Sequence, residues 1–324
     1  MKSVKRAILA LVLPALVLTL LLPGSAQAAE KLRVAYLRTF AMMPFFYAMD
    51  KGYFKGEGLD VTGITLNNGP AAAAAVLSGS ADVAESANVP VILAVDHHQP
   101  IKFFFSENYE QYPKPTFTYL VATGRSGVTT LQGLKGKTVA INAATSACAL
   151  ILRDHIRTVG LGPTDVKLII IPFPQIPAAL QLGEADAACL VEPFMTSVMH
   201  APDKATVLAS GVLANLKELH RSVLDGFYAR EDWLKGHEKT AAAFMRALIK
   251  ADHELIANPA VYRKLLVEKF KMPAPLAAEM PVDLNIGSFE VVPADYQAVI
   301  DGLVRTGLIE KPMKASEVIY PIKP

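Results

Sequence analysis

A short series of residues recurs about 105 positions later in the same order, and this limits the architectures open to the chain. Val34 and Ala35 are matched by Val139 and Ala140, Asp60-Val61 by Asp165-Val166, and Ile64 by Ile169. After one residue of drift, Gly79, Ala81, Asp82 and Ala84 face Gly183, Ala185, Asp186 and Ala188. Alanine matches alone carry little in an alanine-rich chain. The ordered series, however, points to two copies of one topology and not to a short-period solenoid. Each copy reads strand, helix, strand, helix, strand. In the first, residues 32–37, 59–66 and 81–85 are strands, separated by helices over 44–54 and 70–78. In the second, 138–142, 166–171 and 185–191 are strands, with helices over 146–159 and 177–182. Proline at a helix start and Gly79 or Gly183 just past its end are the expected punctuation. The run 166–171 is unbroken and apolar, the pattern of a strand covered on both faces. Strands alternating with helices imply parallel sheets flanked by helices.

Residues 101–106 and 117–123 read as strands that finish or leave the first copy, and 204–211 and 223–230 as strands leading back. The chain after Glu231 is mainly helical, over 233–258, 260–270 and 294–306, with a break at Asn258-Pro259. The second copy is then an insertion bounded by crossovers near 121–125 and 221–226. The expected fold is α/β and two-lobed. The first lobe is residues 29–122 with 224–324, and the second is 123–223. Each is a mostly parallel sheet flanked by helices, and the two crossovers form a hinge.

Residues 1–28 read as a secretory signal. Lys2, Lys5 and Arg6 precede an apolar run from Ala7 to Leu22, and Ala26-Gln27-Ala28 offers a small-x-small cleavage pattern. Pro14 and Thr19 interrupt a run already short for a bilayer-spanning helix. No cysteine lies near the cut to carry a lipid. Setting those three bases aside leaves 29 basic and 30 acidic residues, a net charge of −1. A nearly neutral body without a basic stripe excludes nucleic acid as the main partner. With 52% hydrophobic and 19% charged residues, a disordered chain is excluded as well. Export permits disulfides. Cys148 and Cys189 are nevertheless read first as buried thiols, with a bridge as the alternative, because sequence supplies no Cα distance. Two cysteines without a histidine pair do not make a zinc site.

In open α/β sheets, ligands sit beyond the carboxyl ends of the strands. Here those ends give loops 38–44, 67–70 and 85–88 in one copy and 142–147, 172–177 and 192–194 in the other. The candidate ligand-binding residues are Arg38, Thr39, Phe40, Met43, Asn68, Gly69, Ser86, Asn88, Asn142, Thr145, Ser146, Glu192 and Phe194, with Asp225 at the second crossover. The loop from Asn142 to Ala147 is small, polar and placed before a helix, whose free N–H groups favour an anion. Ordinary capping by Thr145 or Ser146 is the alternative. Phe40, Met42, Met43, Phe45, Phe46, Phe173 and Phe194 make the loops apolar, which suits an organic ligand, although many such residues serve the core. Arg38 is a candidate partner for a ligand anion, or an exposed loop arginine. Glu192 is positioned either to accept from an amine or ring nitrogen, or to fix the hinge through backbone N–H groups. His97-His98 lies before Pro100 and reads as a solvated loop. Hydrolase, zinc-protease and phosphate-loop motifs are absent.

The run Pro44-Phe45-Phe46-Tyr47-Ala48-Met49-Asp50-Lys51-Gly52-Tyr53-Phe54, followed by Glu57-Gly58-Leu59-Asp60-Val61, resembles the opening signature of solute-binding proteins for nitrate, alkanesulfonate, taurine and pyrimidine import, the NMT1/SsuA-like group. Gly79-Ser80-Ala81-Asp82, the stretch from Leu131 to Lys137, and Gly183-Glu184-Ala185-Asp186 leading to Glu192-Pro193 agree with it. The resemblance implies a monomeric periplasmic binding protein of type II that closes on a small molecule and presents it to an ABC permease and its ATPase. It implies no cofactor, no metal and no catalysis. Thr39 fits the hydroxyl residue that the family places after the first strand, Thr145-Ser146 fits its serine-rich loop in part, and Glu192-Pro193 stands at its acid-proline pair. The apolar stretch Phe40-Ala41-Met42-Met43 is unlike a nitrate site. The expected ligand is therefore a small organic anion, a sulfonate or carboxylate, aromatic ones included. A thiamine-precursor pyrimidine is the alternative. A pyrimidine-synthase-like enzyme is a third reading, opposed by the lack of a cysteine cluster.

Overall fold

The computed structural model describes residues 28–114, 116–281 and 289–324. The expected leader lies outside the described residues except for Ala28. No described helix is long and apolar enough to cross a membrane. The strands, in chain order, are β1 Glu30–Leu37, β2 Leu59–Leu66, β3 Val83–Ala87, β4 Ile101–Gln111, β5 Thr118–Ala122, β6 Thr138–Ile141, β7 Lys167–Ile170, β8 Ala187–Val191, β9 Thr206–Ser210 and β10 Arg221–Arg230. They form two five-stranded sheets of like order, β2-β1-β3-β10-β4 and β7-β6-β8-β5-β9. Four strands of each run in one direction; β10 in one and β5 in the other run antiparallel to both their neighbours.

The recurrence in the sequence is the recurrence of these registers. Val34 pairs with Gly63 and Val83, and Val139 pairs with Leu168 and Ala187. The repeated aspartate has a structural task in both copies. Asp82 accepts from the Arg33 N–H at 2.8 Å and donates its own N–H to the Arg33 carbonyl at 2.9 Å. Asp186 makes the same two bonds with Thr138, each at 2.9 Å. The carboxylate thus pairs an N–H of the inner strand one residue ahead of the parallel pairing that begins at Val34↔Val83 or Val139↔Ala187. Gly79 and Gly183 stand at φ +72° and +80°, the left-handed exit that lets each preceding helix turn back into its strand.

Two expectations give way. The chain first passes between the sheets at residues 112–117, ahead of the expected 121–125, because β5 pairs with β8 from Thr118↔Val191 onward and so belongs to the second sheet. It returns over residues 211–220. A strand's partner is a long-range choice that its own sequence does not encode. The apolar run ending at Ile171 is an edge strand, β7, in which Leu168 and Ile170 are 40% and 54% exposed. Its apolar character marks β-propensity there and not burial on two faces. The C-terminal helices Glu238–Ala257, Pro259–Phe270 and Pro293–Arg305 return to the first sheet. Phe244 stacks on Phe54 and meets Phe45 and Phe227 edge-on or tilted.

The β10–β4 ladder is irregular between Val223 and Asp225, between Asp225 and Gly226, and again after Phe227. Such bulges re-aim side chains next to sites. Gly226 makes this one sterically feasible, since a Cβ there would lie 2.2 Å from the Phe105 carbonyl oxygen. Gly226→Ala is therefore expected to cost roughly 2 kcal/mol in urea unfolding, the scale of an overpacked site that must shift backbone. Unchanged stability would show that the strands have slack at that point.

Candidate ligand cleft

The strand ends of both sheets converge on one cleft, with about 610 Å³ of atom-free space when the open solvent at its mouth is counted. The first sheet contributes Thr39 and Phe40 after β1, Gly69 after β2, and Glu85, Ser86 and Asp225 from β3 and β10. The second contributes Asn142 after β6, Ser146 before the helix Ala147–Arg157, and Glu192 after β8. Across the cleft, the Phe40 N–H donates to the Glu192 carbonyl at 3.2 Å, so the two rims touch. The walls are apolar: the Phe40 ring lies 5.2 Å from Phe117 and 5.1 Å from Tyr262, and Phe173 stacks on Phe194.

Eight of the fourteen expected residues line this space, namely Thr39, Phe40, Gly69, Ser86, Asn142, Ser146, Glu192 and Asp225. The other six do not. Arg38 is exposed and lies outside the lining. Met43 is fully buried at the start of its helix and belongs to the core. Asn68 caps the helix Gly69–Leu77 by accepting from the Ala71 N–H at 2.9 Å. Asn88 donates to the Val223 carbonyl at 2.6 Å, supporting the bulge from behind. Thr145 is exposed. Phe194 backs Phe173, which itself forms the wall. Ser146 starts its helix without a side-chain cap, its hydroxyl donating instead to the Ala143 carbonyl at 2.7 Å.

The electrostatics were not legible in those choices. Glu85, Glu192 and Asp225 line the cleft, and no lysine, arginine or histidine does so among the described residues. All three carboxylates are at most 5% exposed. Burial pushes the Glu192 carboxyl up, although Thr196 donates to it from backbone and hydroxyl at 3.1 Å each. Burial likewise raises Asp225 to about 7, against two donors from Asn108 at 2.9 and 3.0 Å. Glu85 is pushed well above the usual range by burial and then by Asp225. Glu107, on β4 behind the lining, is raised by burial and by Asp225, Glu85 and Asp252. Asp252, on the helix Glu238–Ala257, has no partner for either oxygen, and burial alone lifts it to about 7.

A carboxyl raised in the folded state loses its contribution as pH climbs from its unfolded value, near 3.8, through its folded one, near 7. Asp252→Asn should therefore stabilise the protein by roughly 2 kcal/mol at pH 8 and hardly at all at pH 4. Melting curves at the two pH values check it; an equal effect at both would mean that Asp252 is ionised throughout.

The cysteines form a disulfide, correcting the expectation of free buried thiols. Cys148 and Cys189 are bridged with Cα atoms 5.6 Å apart, within the ordinary range. The bridge ties the first turn of the helix Ala147–Arg157 to β8, three residues before Glu192, and Cys148 itself lines the cleft.

Two sheets of matched order meeting at a common cleft define the periplasmic binding protein fold. The alkanesulfonate-binding protein SsuA from Xanthomonas axonopodis pv. citri, bound to MOPS, superposes with a TM-score of 0.77 over 91% of this chain and 100% of its own, at 19% identity. The NMT1/THI5 like family model matches residues 39–261, and the chain belongs to that family. Among curated proteins it is similar to 4-amino-5-hydroxymethyl-2-methylpyrimidine phosphate synthase of Schizosaccharomyces pombe, 24% identical over 286 residues that cover 82% of this chain and 78% of the other. It is also similar to the taurine-binding periplasmic protein of Escherichia coli, 22% identical over 215 residues covering 66% and 63%. The expected family and fold both hold.

Proposed function

We propose that this protein is the periplasmic solute-binding component of an ABC importer, released by cleavage of its leader and capturing a small organic molecule between two lobes that close on it. The passages at residues 112–117 and 211–220 act as the hinge, and the captured molecule is handed on unaltered to a permease. The observation that carries the reading is the single cleft built from matched strand ends of both sheets, with apolar walls and hydrogen-bonding ends. The two serines in it are turned to neighbouring protein groups, Ser86 to the Tyr228 hydroxyl at 3.1 Å and Ser146 to a carbonyl, an arrangement suited to holding shape.

For the ligand, the lining favours the pyrimidine alternative over the expected sulfonate or carboxylate. An anion needs donors or positive charge, and the charged side chains of this lining are three carboxyls, Glu85, Glu192 and Asp225, with no lysine, arginine or histidine among the described residues. A flat nitrogen heterocycle carrying N–H groups suits a lining that combines these carboxyls with the Phe40, Phe117 and Phe173 rings. Thermal-shift screening against aminopyrimidines, alkanesulfonates, taurine and nitrate tests this, because a ligand of the folded state raises the melting temperature. Aminopyrimidines are expected to raise it most; a rise with sulfonates alone would restore the anion. Similarity to a pyrimidine phosphate synthase supports a second, enzymatic reading, in which the same heterocycle is the product and not the cargo.

A further inference from the structure

We infer that the cleft takes its ligand as an organic cation, with an N–H-bearing cationic head of amidinium or protonated-amine type seated against Glu85 and Asp225 while Glu107 behind them shares the compensating charge. The inference rests on the capture reading above and specifies the charge of what is captured.

Glu85, Glu107 and Asp225 come from β3, β4 and β10, adjacent in the first sheet, and one oxygen from each carboxylate lies within 4.8 Å of the other two. All three are buried. Both oxygens of Glu107 and Oε2 of Glu85 have no hydrogen-bond partner. A second, separate observation comes from the other sheet. Asn142, 5% exposed, lines the same cleft with its Oδ1 unpartnered. Glu85 on one sheet and Asn142 on the other thus each bring an unpaired oxygen to a residue that lines the cleft. Buried acceptors are ordinarily paired, and each exception asks for an explanation.

The surroundings supply no positive charge. Asp252 from the helix Glu238–Ala257 and Glu110 farther along β4 are acidic. Tyr228 on β10 and Tyr296 on the helix Pro293–Arg305 are neutral. Among the described residues, no lysine, arginine or histidine acts on any of the three carboxyls. Like charges this close in a buried site do not all ionise, so the empty trio retains protons. An anionic ligand adds to the repulsion, and a neutral one leaves the protons in place. A cationic head favours the ionised carboxylates and supplies the missing donors, so its binding releases a proton from the trio to solvent. Glu107 does not line the cleft, which makes it a positioning residue: it sets the charge of the pair that touches the ligand.

The test is isothermal calorimetry on the mature chain, disulfide intact and with EDTA present, using benzamidinium, benzamide and benzenesulfonate. These share one ring and differ in charge. Benzamidinium is expected to bind at least roughly tenfold tighter than benzamide, and benzenesulfonate weakest. Titration in buffers of different ionisation enthalpy should show proton release with benzamidinium only, and its affinity should rise between pH 6 and pH 8. Glu107→Gln should diminish the proton release and the pH slope seen with benzamidinium. If that variant does not fold, the wild-type charge series decides alone. Benzamide or benzenesulfonate binding as tightly as benzamidinium overturns the cation, as does cation binding without proton release. A protein that ignores benzamidinium but is stabilised by an aminopyrimidine or a sulfonate keeps the capture reading and loses this one. A protein stabilised by nothing loses both.

Discussion

Replacing Glu110 by alanine should destabilise the protein by roughly 4 kcal/mol, the largest loss expected of any single substitution considered. Glu110 lies near the end of β4, fully buried. Its Oε1 accepts from the Phe117 N–H at 3.1 Å, the Thr118 N–H at 3.0 Å and the Thr118 hydroxyl at 2.6 Å. Its Oε2 accepts from the Val212 N–H. Phe117 and Thr118 are where the chain enters the second sheet, and Val212 is where it leaves. One carboxylate of the first sheet therefore holds both passages. Burial pushes its carboxyl up and these four donors pull it back down. Alanine would leave all four donors buried without an acceptor, and such orphaned groups cost more than the bonds contribute. Glu110→Gln keeps one carbonyl oxygen but turns an amide donor toward other donors, so about half of the loss should remain. Urea unfolding of the two variants decides it. A loss below about 1 kcal/mol for alanine would show that the passages are held by other contacts.

The second large effect concerns the disulfide. Cys148 and Cys189 are 41 residues apart in sequence, and closing a loop of that length restrains the unfolded chain by about 4 kcal/mol in the chain-entropy account. The double variant Cys148→Ala/Cys189→Ala should lose roughly 3 kcal/mol, and the wild type should melt lower in reductant. The bridge also fixes the first turn of the helix Ala147–Arg157, on whose neighbouring loop Asn142 and Ser146 face the cleft. Melting curves with and without dithiothreitol make the comparison; coincident curves would contradict a bridge that contributes to stability.

The repeat in the sequence carried most of the architecture, because register is a local consequence of spacing. Val34 and Val139 meet equivalent partners since the residues between strands are nearly equal in number in both copies. Sheet membership was not legible in the same way. Residues 118–122 and 101–106 are both short apolar strands, and only their distant partners tell them apart. The acidic floor escaped for a related reason. After Phe103-Phe104-Phe105, the run Ser106-Glu107-Asn108-Tyr109-Glu110 reads as a strand meeting solvent, yet β4 continues through it with every side chain buried. Two carboxylates three apart directly after a core strand were the available signal, and one faces the cleft carboxylates while the other clamps the passages. At the rims, side-chain direction decided: Thr39 and Phe40 turn inward and Arg38 outward, which one-dimensional spacing does not resolve at the irregular end of a strand.

Small-angle scattering of the mature protein, alone and with the ligand that most raises its melting temperature, tests the capture account most directly. The bound form should reproduce the curve calculated from the closed arrangement, in which Phe40 meets Glu192 across the cleft. The free form should have a larger radius of gyration, since lobes that close on a ligand must first stand apart. Superimposable curves at saturating ligand would contradict closure as the means of capture.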